Sequence, residues 1–428
     1  MQHSRRVGIA ITALIILISI ADRASAQQSA DMDPRLLKRF AEIVNHVRQS
    51  YLDKPDDEKL ITAAINGMVA SLDPHSSYTE PAGLHAASVL SQGEMGGIGV
   101  ELTMGDGRLT VVSPLDGTPA SKAGLLTGDV IAEIDGAPVK AMSLVQAVEK
   151  LRGAIGTPVK LAISRQGTDK PVTLTLVRAL IRVIPVRSHA QGPDVDYIRI
   201  TQFNEQTFAD VKTAIDNLKS QLGDDKIKGY IIDLRNNPGG LLDQAIAVSD
   251  IFLDHGTIVK TSGRNAAEDQ TFNARPGDAT AGRPIIVLVN GGTSGVSEIV
   301  AGALQDNRRA TLIGSRTFGY GTIQTIIPIA PGDGMLKLTT ARYFTPAGTS
   351  IQAAGIKPDI PVQQDDPSAA VGNKPGGEAS LPNHIQAPAA EISGSQSYVP
   401  PDEKDDKAIT LAVGLLRGTE HNSAYSPK

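Results

Sequence analysis

Apolar positions along this chain follow three spacings in turn. From Leu36 to Val69 they recur at helical intervals (Leu36, Leu37, Phe40, Ile43, Val44 and Val47, then Leu60, Ile61, Ala64, Ile65, Met68 and Val69), interrupted by Pro55-Asp56-Asp57. This predicts a helical subdomain over 33–95 whose apolar faces pack on each other or on a second copy. Between Gly96 and Val177 the runs shorten and alternate, with turns at Gly105-Asp106-Gly107 and Leu115-Asp116-Gly117 and one helical stretch near 143–152. That is a β-rich domain over 96–180.

Over 181–361 strand and helix patterns alternate. Tyr197–Ile200, Gly229–Leu234, Pro284–Val289 and Ala310–Ile313 read as strands, with helical spacing over Phe208–Leu222, Leu241–Phe252 and from Ser297 onward. The pattern predicts an α/β core with a largely parallel sheet. Residues 362–402, rich in Pro, Gly, Ala, Ser and acids, predict a disordered linker. A short amphipathic helix, Asp406–Leu416, is expected within 403–428.

In a parallel sheet, loops at the carboxyl ends of the strands share one crevice. Two glycine turns belong there, Pro238-Gly239-Gly240 and Thr293-Ser294-Gly295-Val296. A strand, tight turn and helix start suits acyl transfer, because free amides at the helix N-terminus face developing negative charge. It equally suits a turn that only caps a helix. Earlier, Gly97-Ile98-Gly99-Val100 is a glycine-flanked apolar loop before a strand, able to offer amides to a peptide carboxylate.

Composition narrows the chemistry. Zero cysteines exclude disulfides and thiolate sites, and a formal net charge of -5 argues against nucleic acid as a partner. His46, His75, His85, His189 and His255 stand in no metal or triad spacing, so neither metal nor cofactor is expected. Arg5-Arg6, an apolar Val7–Ile20 and Ala24-Ser25-Ala26 predict an export signal over 1–26, cleaved rather than kept as an anchor, because the apolar stretch is shorter than the ~20 residues that span a bilayer. The mature chain is expected to be exported, in the periplasm, and at most peripheral to a membrane.

The 96–180 block, with Gly128-Asp129-Val130 and its following helix, resembles a PDZ domain of the circularly permuted bacterial kind. Taken with Leu72-Asp73-Pro74-His75-Ser76, Asp233-Leu234-Arg235-Asn236-Asn237-Pro238-Gly239-Gly240, Ser297-Glu298 through Gln305-Asp306 and Thr317-Phe318-Gly319, the chain resembles the carboxyl-terminal processing peptidases over about Leu36 to Ile360. The resemblance implies a ClpP/crotonase-like α/β core, an inserted PDZ domain that binds C-terminal peptides, and a Ser-Lys dyad. The implied serine position holds Gly295 and the implied lysine position holds Tyr320, while Gln324 matches the glutamine that orients the lysine. Gly239, Gly240 and the Val296 amide match the implied oxyanion hole, and Ser294 and Ser297 remain as fallback nucleophiles. A silent peptidase acting alone, as a homo-oligomer or beside an active paralogue is therefore expected; an active endopeptidase using Ser294 or Ser297 is the alternative.

Overall fold

Asp33 caps the first described helix: its carboxylate accepts from the Arg35 amide at 2.9 Å, with Pro34 in the first turn. The computed structural model describes residues 33–80 and 94–428, except 106–107, 115–117, 127–128, 143, 166–170, 183, 331–332, 366–375, 389, 401, 426 and 428. The expected export signal lies outside the described residues. The chain forms two compact units, Met1–Gly67 and Met68–Lys428.

Helices α1 (Pro34–Ser50) and α2 (Asp57–Ala70) carry the first apolar pattern. No residue of α1 is buried, and Leu36, Leu37, Phe40 and Ile43 are exposed. Mutual packing of the two helical faces is thus not met in α1; a ~17-residue helix rarely gains enough from backbone bonding alone to need no partner.

After β1 (Ser77–Thr79) come the elements of the β-rich domain: β2 (Glu94–Gly97), β3 (Val100–Gly105), β4 (Arg108–Pro114), the single turn α3 (Pro119–Lys122), β5 (Val130–Ile134), β6 (Ala137–Pro138), α4 (Leu144–Leu151), β7 (Pro158–Ser164), β8 (Val172–Val177) and β9 (Ala179–Arg182). The sheet runs β3-β4-β5-β7-β8 with β6 on β5, while β2 and β9 pair as a separate ribbon. Alternation along β7 sends Val159, Leu161 and Ile163 into a core with Leu109, Ile131, Ile134 and Ala147.

The α/β core continues through β10 (Val186–Ala190), β11 (Val195–Ile200), α5 (Thr207–Leu222), β12 (Gly229–Asp233), α6 (Leu242–Ile251), β13 (Thr257–Gly263), β14 (Gln270–Asn273), β15 (Ile285–Val289), α7 (Val296–Asp306), β16 (Ala310–Gly314), β17 (Thr322–Pro328), β18 (Met335–Phe344), β19 (Ile360–Pro361) and α8 (Lys407–Arg417). One sheet runs β10-β11-β12-β15-β16-β19, parallel from β11 onward. Both its faces are covered. Ile198, Ile200, Ile232, Val287 and Val289 meet α5, α6 and α7, while Tyr197, Ile231, Leu288 and Ile313 meet α8. This is why the central strands read as unbroken apolar runs. A second sheet runs β1-β18-β13-β14, with β17 on β18.

One core position breaks the apolar rule. Asp196 is fully buried beside Tyr230 in register, and neither its carboxylate oxygens nor the Tyr230 hydroxyl has a partner among the described residues. Burial pushes Asp196 up to about 6, against the opposing pull of Lys219 and Arg283.

The expected disordered linker needs correction. Residues 366–375 and 389 lie outside the described residues, but 376–388 and 390–400 run against the core: Gly291 N donates to Gln396 O at 2.9 Å, Glu378 N to Phe318 O at 3.0 Å, and Ser395 Oγ to Arg316 O at 2.7 Å. Few large apolar groups are required because backbones meet directly. A Cβ on Gly291 would stand 1.9 Å from the Ser395 carbonyl oxygen.

Candidate active site

The turn between β15 and α7 sets the geometry. Gly295, the N-cap of α7, has φ 59 and ψ -126, a backbone that side chains other than glycine's adopt only under strain. Space is not what excludes a side chain. A Cβ there would meet Pro238 O at 3.5 Å and Tyr320 Cδ1 at 3.6 Å, ordinary contacts. There is room for a side chain at this turn, and Gly295 supplies none.

Glu298, fully buried in the first turn of α7, fastens this turn to the loop before β17. It accepts from Gly295 N at 3.1 Å, Gly319 N at 2.8 Å, Tyr320 N at 2.8 Å and Thr317 Oγ1 at 2.5 Å. Burial raises Glu298 to about 7 even though these four donors favour the carboxylate.

Tyr320 fills the place of the expected base. Its hydroxyl donates to Gln324 Oε1 at 2.5 Å, and Gln324 Nε2 donates in turn to Thr322 Oγ1 and Thr339 Oγ1 at 3.0 and 3.1 Å. Burial, reinforced by Tyr343, Glu378 and Asp73, holds the phenol well above its ordinary range. At neutral pH it is therefore a hydrogen-bond donor and no proton acceptor.

His75 stacks on the Tyr320 ring, with centroids 3.7 Å apart and planes 11° from parallel. Its Nε2 lies 2.9 Å from a carboxylate oxygen of fully buried Glu378, which also accepts from Gln352 Nε2 at 3.0 Å. Sequence spacing alone misses this pair, since its members lie 303 residues apart. Beside it, Asp73 accepts from the His75 and Ser76 amides at 2.8 Å, from Ser76 Oγ at 2.7 Å and from Thr339 Oγ1 at 3.1 Å. Burial alone would raise Asp73, but these bonds hold it below the usual range.

The two glycine turns do meet. A Cβ on Gly239 would lie 3.2 Å from Val296 N. Gly239's own amide is committed to Asn237 Oδ1 at 2.9 Å, so it is not the free donor expected. The amides of Gly240 and Val296 have no acceptor among the described residues. Ser297 is fully buried and its hydroxyl donates to Asn237 O at 3.2 Å, a geometry that does not fit a nucleophile. Half-buried Ser294 donates its amide to Asn237 O and accepts from Ser297 N, the bonds of a turn former.

At the second site, Gly97, Ile98 and Gly99 are buried, with half-buried Val100 opening β3. Carbonyls of Ile98 and Gly99 accept from Ala120 N at 2.8 Å and Thr118 Oγ1 at 2.9 Å. The Ile98 and Gly99 amides have no acceptor among the described residues, and β3 is an edge strand. Free amides beside an open edge are what an added peptide strand needs. Among the described residues no acidic, histidine or cysteine cluster could hold a metal ion.

Comparison with known proteins agrees with this architecture. Residues 194–362 match the family Peptidase family S41, 96–176 match PDZ domain, and 17–82 match Activating protease CtpB N-terminal domain. The chain is 47% identical over 423 residues to a carboxy-terminal-processing protease of Bartonella bacilliformis, covering 98% of this chain and 96% of that protein. It is 40% identical over 327 residues to a carboxyl-terminal-processing protease of Synechocystis sp., covering 74% and 75%. Among solved structures, a photosystem II D1 C-terminal processing protease aligns with a TM-score of 0.51 and 32% identity, over 76% of this chain and 92% of that one.

Proposed function

This chain belongs to the carboxyl-terminal processing serine peptidase family, and from that premise we propose that it is an exported, non-cleaving member which binds apolar C-terminal tails through its PDZ domain. The observation that carries the reading is the pair Gly295 and Tyr320: no oxygen at the nucleophile position, and at the base position a half-buried phenol already donating to Gln324. Acyl transfer needs a hydroxyl to attack and a group to take its proton. Without them, a substrate carbonyl directed at the Gly240 and Val296 amides is held without being attacked.

Ser297, buried and bonded, argues against the alternative of an active endopeptidase, and Ser294 sits one position from the pocket, where a misplacement of ~1 Å can cost ~100-fold. Export is supported by the apolar Val7–Ile20 segment after Arg5-Arg6. Among the described residues no helix is long and apolar enough to cross a membrane. Action beside an active paralogue fits the same reading, as does a homo-oligomer. In the test, an unfolded protein with an apolar tail is incubated with the purified chain. The substrate stays intact by mass spectrometry while its C-terminal peptide binds by calorimetry; cleavage, or no binding, rejects the proposal.

A further inference from the structure

Two acids on the C-terminal segment are fully buried, Glu378 and Asp406, and each reaches a different loop of the candidate site. A buried carboxylate is costly unless charge and hydrogen bonds offset the loss of water, so each holds its segment where its partners stand. Asp406 divides its two oxygens. Oδ1 accepts from the Ala408 and Ile409 amides at 3.0 and 3.1 Å and caps α8, while Oδ2 accepts from Arg235 Nη1 at 2.7 Å. Arg235, itself buried, turns its remaining nitrogens to Asp233 at 2.6 to 3.1 Å and opens the turn that runs to Gly240.

Glu378 works on the other loop by two routes. His75 Nε2, 2.9 Å from it, belongs to the ring that lies flat on Tyr320. Gln352 Nε2 donates to it at 3.0 Å, and Gln352 Oε1 accepts at 3.0 Å from the amide of Gly321, the residue after Tyr320. Between the two acids the segment has anchors of its own: Ser397 O accepts from Asn290 Nδ2 at 2.9 Å, and Gln396 O from Ser315 Oγ at 2.7 Å.

We infer that Asp406 and Glu378 are positioning residues of the site. Asp406, through Arg235, sets the turn that presents the Gly240 amide; Glu378, through His75 and Gln352, sets the ring and backbone at Tyr320. The C-terminal segment is then a part of the site, fastened to it at two places. Because the bonds at Asn290 and Ser315 anchor the chain between them, each acid acts on its own loop and leaves the other in place. This arrangement is the same whether or not the site cleaves, so it stands apart from the function proposed above.

The full chain is compared with three variants by hydrogen exchange and by NMR of the histidine rings. Asp406→Asn keeps the α8 cap, because asparagine caps as well as aspartate, and removes the second oxygen that faces Arg235. Glu378→Gln keeps the shape of the side chain and replaces its carboxylate by an amide. Glu391→Gln is the control: it breaks the segment's own contact with His384, 3.2 Å away, and Glu391 bonds no loop of the site among the described residues. Asp406→Asn is expected to speed exchange over 235–241 about tenfold, the loss of one hydrogen bond to a charged group, with 317–324 unchanged. Glu378→Gln is expected to speed 317–324 about as much with 235–241 unchanged. It also moves the His75 ring protons, which the Tyr320 face shifts upfield and which are assigned by their absence in His75→Asn, back downfield. The control changes neither loop. Acceleration of both loops in one variant, or of neither, overturns the assignment, as does a control that matches the variants. Should a variant not fold, the unmodified chain decides: slowly exchanging Arg235 guanidinium and His75 ring N–H protons support the two positioning contacts, and rapid exchange of either overturns that contact.

Discussion

Gly99 and Gly295 both take positive φ, 72° and 59°, at turns flanked by free amides, yet they are glycines for different reasons. At Gly99 a Cβ would stand 2.4 Å from Thr118, so glycine is the residue the PDZ loop accommodates without rearrangement. At Gly295 the nearest atom would be 3.5 Å away, so the turn retains room for a side chain it does not carry. One glycine is required by packing. The other has room beside it, and under the proposed reading it stands where a nucleophile is absent, so that reading keeps binding and drops cleavage.

Substitutions at the two glycines test that contrast most strongly. Gly99→Val collides with Thr118, so peptide binding falls at least tenfold and the PDZ transition loses about 2 kcal/mol, read by calorimetry and thermal denaturation. If Gly99→Val binds normally, the packing argument is wrong. A smaller effect is expected for Gly295→Ala, which folds with a loss of about 1 kcal/mol from its backbone conformation and leaves peptide affinity unchanged. A loss like that at Gly99 would show that the Gly295 pocket is already filled.

The pH axis separates the two regions as well. In the PDZ domain Arg165 holds Asp129 below the ordinary carboxylate range, so that stabilisation is present near neutrality and is lost as pH falls below about 4. In the core, burial raises Asp196 to about 6 and Glu298 to about 7, so their contribution is fully present below about 4 and is lost as pH rises to about 7. Asp196→Asn removes the buried charge and raises core stability by on the order of 2 kcal/mol at pH 8, with little change at pH 4. Equal effects at both pH values in chemical denaturation would contradict the buried, unpaired carboxylate.

Much of this was legible along the chain. Period-two and helical spacings gave the sheet-and-helix core, and position counting along the motifs singled out Gly295 and Tyr320, whose backbones the fold ties together through Glu298. The surroundings of Tyr320 were hidden, because His75 and Glu378 meet only through the fold and neither sits in a periodic segment. Composition misjudged residues 376–388 and 390–400, since hydrogen bonds and glycine-to-backbone contact hold them where apolar burial does not. Likewise, nothing in Pro238-Gly239-Gly240 revealed that Asn237 occupies the first of the two glycine amides.

Under the proposed reading the fold lacks two side chains and is otherwise assembled for acyl transfer. Its most direct test compares cleavage of one unfolded, apolar-tailed protein by the unmodified chain, by Gly295→Ser, by Tyr320→Lys and by the double variant, followed by intact mass. The first three are expected to leave the protein uncut, and the double variant alone to cleave it measurably. Cleavage by the unmodified chain that disappears in Ser294→Ala would contradict it.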